Sequence, residues 1–166
     1  VSTGSIFNFN QEAYERLESF DQWLRKQLAS SGLLHVDETG INIGGKRSWL
    51  HNASNADFTF LYPHGKRGSE AMDEIGILPG FQGTLCHDHW KPYFQYGTAH
   101  ALCNAHHLRE LERAWEQDKQ QWAHNMIVLL KEINSATLNA GGHLNLLSSE
   151  IYRWRYRALL DEAEKE

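Results

Sequence analysis

The amino-acid sequence predicts an α/β protein, a mixed β-sheet flanked by helices, and three observations point to it. Between Leu33 and Tyr62 apolar and polar residues alternate with the period of β-strands. Past Cys103 the apolar residues recur instead at helical spacing. Between these regions lies a second strand-like run that ends as the first one does, in an aspartate: Asp37 closes Leu34-His35-Val36, and Asp88 closes Thr84-Leu85-Cys86-His87.

Taken in chain order, Leu17, Phe20, Leu24 and Leu28 form the stripe of an amphipathic helix over about Glu12 to Ala29, with Asn10 as N-cap and Ser30-Ser31-Gly32 as its end. Strand period runs from Leu33 to Ile43, turns at Gly44-Gly45, and resumes over Lys46 to Asn52 and Phe58 to Tyr62. A Gly-Gly pair between two such runs marks a hairpin, because the favoured two-residue turn needs positive φ at both positions. In the third run Phe58, Phe60 and Tyr62 share one face. Pro63 to Gly68 is a loop, and Ser69 to Ile75 a short helix capped by Ser69, with Glu70 and Asp73 near its start. A fourth strand, Gly83 to Asp88, carries Thr84, Cys86 and Asp88 on one face and Leu85 and His87 on the other. Trp90-Lys91-Pro92-Tyr93 is a loop, and His100 to Cys103 is short and apolar enough for a buried strand. The helical stripe that follows comprises Leu108, Leu111, Trp115, Trp122, Met126, Leu129 and Ile133. Gly141-Gly142 interrupts it, and Leu146 to Ala163 is the last helix.

Three antiparallel strands, a helix, two more strands and then helices is the order of a ribonuclease-H-like sheet. There the first strand is central and the fourth lies beside it, so Asp37 and Asp88 would converge at neighbouring strand ends. On this reading residues 1–31 are an N-terminal helical segment, 32–117 a ribonuclease-H-like core and 118–166 further helices.

At 166 residues the chain fits one domain able to bury roughly two thirds of its unfolded surface. Hydrophobic content of 41% and charged content of 22% are those of an ordinary globular domain, and no apolar run approaches a membrane span. No signal peptide is visible in Val1 to Gln11, so a cytoplasmic protein with reduced Cys86 and Cys103 is expected. A net charge of −5 argues against strong DNA binding by this chain alone, since sequence-independent affinity comes from neutralising phosphates. The basic residues are local: Lys46-Arg47, Lys66-Arg67, Arg109 with Arg113, and Arg153, Arg155 and Arg157.

Two aspartates from separate strands are the donors that a divalent-metal phosphodiester chemistry requires, because magnesium and manganese prefer hard oxygen ligands held by rigid elements. Asp37 and Asp88 are therefore the candidate catalytic and metal-binding residues. Glu38 alternates to the opposite face and is expected to be structural or a salt-bridge partner. Lys46 and Arg47 in the first hairpin, and Lys66 and Arg67 in the loop before the short helix, are candidates for contacting phosphates.

His35-Val36-Asp37-Glu38-Thr39-Gly40, Trp49-Leu50-His51, His87-Asp88-His89-Trp90 with Tyr93, and the run Cys103-Asn104-Ala105-His106-His107-Leu108-Arg109-Glu110-Leu111 resemble the catalytic region of the insertion-sequence 66 transposases over roughly Gly32 to Glu132. The resemblance implies a DDE-type enzyme with a ribonuclease-H-like core. It implies magnesium or manganese, hydrolysis and strand transfer at transposon ends, DNA ends and target as partners, and a homo-oligomeric full-length protein. Asp37 matches the first acid and Asp88 the second. In related transposase families a Cys-x-x-His pair follows the second acid, which implies that Cys103 and His106 support the site or contact DNA, and Arg109 is a further candidate for the same role. The family's third acid, a glutamate in an Asn-Asn-x-Ala-Glu-Arg motif, has no counterpart here, so the chain is expected to be a fragment that is inactive alone. The resemblance thus implies that 32–117 is a partial catalytic core and 118–166 the start of a helical insertion. Glu110, Glu112, Glu116 and Glu150 are the glutamates that could stand in.

The sharpest rival is a zinc site. Cys86-x-x-His89 and Cys103-x-x-His106 offer two thiolates and two imidazoles, which would make the chain a zinc-stabilised nucleic-acid or protein-binding module without catalysis. A stand-alone ribonuclease-H-like nuclease would need its third acid within the chain.

Overall fold

The structure, a computed structural model, describes residues 1–166. Its sheet is organised by the Gly44-Gly45 turn, where φ is 58° and 81° and Asn42 Oδ1 accepts the Gly45 N–H at 2.9 Å. The turn joins β1 (Leu33–Ile43) to β2 (Lys46–Ser54) in an antiparallel ladder running from Ile43 and Lys46 to His35 and Ser54. β3 (Thr59–His64) pairs with β2, and Pro63 is tolerated there because β3 is an edge. β4 (Thr84–His87) and β5 (Ala99–Leu102) add in parallel, giving the order β3-β2-β1-β4-β5. β1 is central with β4 beside it, as expected, and the mixed sheet is compatible with a ribonuclease-H-like arrangement.

One face of the sheet is the core face. Leu34, Val36, Ala53, Phe60, Leu85 and His87 are buried on it. α1 (Thr3–Ala29) contributes Leu24 and Leu28, and α2 (Ser69–Ile75) contributes Met72 and Ile75. Arg25 fastens α1 to this layer: it pairs with Asp21 at 2.7 Å, donates to the Ile75 carbonyl and lies 4.5 Å over the Phe60 ring. The opposite face presents Leu33, His35, Asp37 and Leu61 exposed, with Thr84, Cys86 and Asp88 half-buried.

Several boundaries differ from the sequence reading. α1 begins at Thr3 and its N-cap is Ser2, whose hydroxyl accepts the Ser5 N–H at 3.1 Å, rather than Asn10. Ile6, Phe7, Phe9 and Tyr14 in these extra turns are exposed, so no burial stripe announces them. Gly68, not Ser69, caps α2, and no side-chain bond is made there. Trp90 to Tyr93 is not wholly loop, since a 3-10 helix spans Lys91–Gln95. β5 is an exposed edge strand, not a buried one.

The chain divides into two compact units, Val1–Leu102 and Cys103–Glu166. In the second, α3 (Asn104–Asp118), α4 (Gln121–Asn139) and α5 (Leu146–Ala163) pack in sequence, with Ala123, Met126, Ile127 and Leu129 of α4 buried. The single helical stripe of the sequence is two helices, because Lys119 adopts a left-handed conformation (φ 59°) between Trp115 and Trp122. A bidentate pair between Arg155 and Glu132, both bonds 2.7 Å, clamps α5 to α4. No helix is long and apolar enough to cross a membrane.

Candidate functional site

β1 and β4 run parallel with Leu33, Leu34 and His35 opposite Thr84, Leu85 and Cys86. Two residues further along each backbone stand Asp37, still within β1, and Asp88, the residue that follows β4, so that the same register carried onward would set them side by side. The same alternation sends both to the face opposite the core. Each carboxylate is oriented by a backbone donor: Asp37 Oδ1 accepts the Glu38 N–H, and Asp88 Oδ1 the Trp90 N–H, both at 2.9 Å. The second bond is an Asx turn, the reason the chain leaves the strand just after His87.

Asn52 lies directly across the hairpin from Asp37, and residues so paired share a face. Its side-chain oxygen is buried without a hydrogen-bond partner. Two carboxylates and a neighbouring unpartnered amide oxygen are a donor set that suits a hard divalent cation. No group of three or more His, Cys, Asp or Glu side chains is placed to hold one metal ion, whether a zinc tetrad or a complete set of three acids.

Behind the two aspartates, on the core side, Glu38 is almost fully enclosed, its side chain 1% exposed. Its Oε1 accepts from Arg67 at 2.7 Å and its Oε2 from the Tyr93 hydroxyl. Arg67 lies between two indoles, 4.9 Å from the Trp49 ring centre and 4.1 Å from that of Trp90. Burial, then the hydrogen bond and charge of Glu38 and the charges of Asp37 and Asp88, push the Tyr93 phenol well up, so it remains a donor. The salt-bridge role expected for Glu38 is thus realised, with Arg67 as partner. Sequence reasoning did not single out Tyr93 and Asn52 as site residues, although Asn52 was findable: the Gly44-Gly45 turn alone fixes it opposite Asp37.

His87 is fully buried on the core face of β4, its ring 5.2 Å from Tyr93 and 4.8 Å from Phe94. Its Nδ1 donates to the Asp88 carbonyl, which leaves Nε2 to accept from His100 Nδ1 at 3.1 Å. Burial holds this imidazole below its ordinary value, against the raising effect of the carbonyl bond. A base whose folded pKa is lowered takes up its proton more readily in the unfolded chain. The stability it contributes is therefore complete above about pH 6.5 and declines as pH falls below that value. Thermal unfolding is expected to show a midpoint falling between pH 7 and 5, with a shallower fall in His87→Gln; equal slopes would refute this assignment.

The basic candidates differ in their engagement. Lys46 and Arg47 are exposed at the hairpin end, with Arg47 4.8 Å from the centre of the Trp49 ring. Lys66 is exposed, 3.9 Å from Glu70, whereas the Arg67 guanidinium is occupied by Glu38. In the second unit, the Cys103 carbonyl accepts the His106 N–H at 3.0 Å where α3 begins, and Arg109 is exposed one turn on. Cys86 and Cys103 form no disulfide. Glu110, Glu112, Glu116 and Glu150 are exposed helix residues of that unit.

No curated protein and no solved structure matches the chain. A family model described as "Transposase IS66 family" matches residues 1–163, well beyond the stretch that carries the motifs. With nearly its whole length inside that match, the chain belongs to the IS66 transposase family.

Proposed function

We propose that this chain carries two of the three acids of a DDE-type DNA cleavage and strand-transfer site, Asp37 and Asp88, and that these hold Mg2+ or Mn2+. The observation that supports it most is the parallel β1–β4 register, which two residues further on leads to Asp37 at one strand and to Asp88 just past the end of the other, in a member of a transposase family. A bound divalent metal supplies activation of the attacking water or 3′-hydroxyl and neutralises the leaving oxygen. The chain's own part is to present two carboxylates on one face, each fixed by a backbone N–H. Asn52 offers a further oxygen beside Asp37.

DNA ends and target are the substrates of this reading. Lys46 and Arg47 at the hairpin end of β2 and Lys66 in the loop after β3 are the cations for phosphates, and Cys103, His106 and Arg109 support the site or DNA. Residues 32–117 serve as the core and 118–166 as the start of the insertion, in a cytoplasmic transposase that works as a homo-oligomer. The third acid lies outside this chain, which is inactive alone. A nicking assay on supercoiled DNA with Mn2+ tests that last point: the expected yield equals that of Asp88→Asn. Wild-type nicking that Asp88→Asn removes would mean that the chain supplies its own third acid.

A further inference from the structure

We infer that Glu38 is a positioning residue for the aspartate pair: through Arg67 and Tyr93 it ties the Asp37 end of β1 to the segment that follows Asp88. The inference rests on the reading of Asp37 and Asp88 as metal-binding.

The need for such a tie follows from the sheet. Pairing between β1 and β4 is last recorded at His35 and Cys86, and β4 itself ends at His87. Asp88 therefore stands beyond the ladder that would fix its distance from Asp37. A site that shares ions between two carboxylates needs them held within about 0.5 Å of the productive geometry.

Glu38 supplies the missing connection from the other side of the sheet. Being the residue after Asp37, it points into the core, where its two oxygens engage two different segments. Oε1 takes Arg67, from the loop after β3, and Oε2 takes the Tyr93 hydroxyl, from the 3-10 helix just after Asp88. Trp90 closes the circuit. Its N–H holds Asp88 Oδ1, its ring covers the Arg67 guanidinium at 4.1 Å and meets the Tyr93 ring at 5.8 Å. The contacts run from Asp37 to Glu38, then by two branches, Arg67 and Tyr93, to Trp90 and so to Asp88. Facing away from the aspartates, Glu38 cannot be a ligand of the same ion and acts only through its neighbours.

Mn2+ binding by the whole chain, followed by electron paramagnetic resonance beside thermal unfolding, tests this. Glu38→Gln and Arg67→Gln are each expected to weaken Mn2+ binding about tenfold in protein that remains folded, the order seen when groups behind metal ligands are removed. Arg67→Gln is the decisive variant. Deleting a nearby cation would tighten Mn2+ binding if the network acted only by charge, whereas loss of positioning weakens it. Should both glutamine variants unfold, Tyr93→Phe keeps the ring and deletes only the hydroxyl, with an expected weakening of roughly threefold. Folded Arg67→Gln that binds as tightly as wild type, or Tyr93→Phe with unchanged affinity, would overturn the positioning role. A wild-type chain that binds no Mn2+, or binding that survives Asp37→Asn with Asp88→Asn, would instead remove the metal reading itself.

Discussion

Asp37→Asn and Asp88→Asn are each expected to abolish measurable Mn2+ binding by this chain and, in a transposase that carries it, to lower transposon excision by roughly a thousandfold or more. The substitution keeps shape and hydrogen-bonding size but removes the anionic oxygen that a hard cation requires. Folding is expected to survive, because both side chains lie on the face away from the core and are not among its buried residues. Titration with Mn2+ and an excision assay, each beside a circular dichroism spectrum, would check the two halves. Full excision activity in either variant would remove that aspartate from the chemistry.

Gly83→Ala is expected to have the largest effect on stability of any single-methyl change, about 2–3 kcal/mol. A Cβ at Gly83 would lie 2.5 Å from the Gly32 carbonyl oxygen and 2.7 Å from that of Ser31, both backbone atoms with no rotamer to yield. This is where β4 starts against β1: the Thr84 N–H donates to the Gly32 oxygen at 2.9 Å, and the Gly83 carbonyl accepts from Thr98 at 3.1 Å. Relief of the clash has to shift one strand along or away from the other, which displaces Asp88 relative to Asp37. The variant is therefore expected to lose Mn2+ affinity as well as roughly 5–10 °C of unfolding temperature. Gly80→Ala is the control, since nothing lies within 4 Å of its would-be Cβ and its effect should be slight. Equal unfolding temperatures for the two variants would contradict the close approach.

Much of this was legible in the chain because strand alternation and glycine chemistry are local. The hairpin, its register and the core positions of Leu34, Val36, Phe60 and Leu85 follow from period two and from the positive φ demanded at Gly44-Gly45. β1 and α5 have the bounds that pattern alone suggested. The pairing of β4 with β1 came from element order, not from any local signal. What local pattern misses is structure held by other means. The first turns of α1 form on a serine cap with their apolar residues exposed, and the break between α3 and α4 depends on one lysine with positive φ, a conformation its side chain does not advertise. The network behind the site was half legible: alternation turned Glu38 inward, but Arg67 and Tyr93 reach it from 29 and 55 residues away. No spacing rule pairs residues so far apart.

The measurement closest to the central claim is anomalous diffraction at the manganese edge from crystals of this chain grown with Mn2+. The account expects an ion bound by a carboxylate oxygen of Asp37 and one of Asp88, each at about 2.0–2.2 Å, with Glu38 still held by Arg67 and Tyr93 behind them. Aspartates too far apart to share an ion, with the metal held instead by cysteine and histidine, would contradict it.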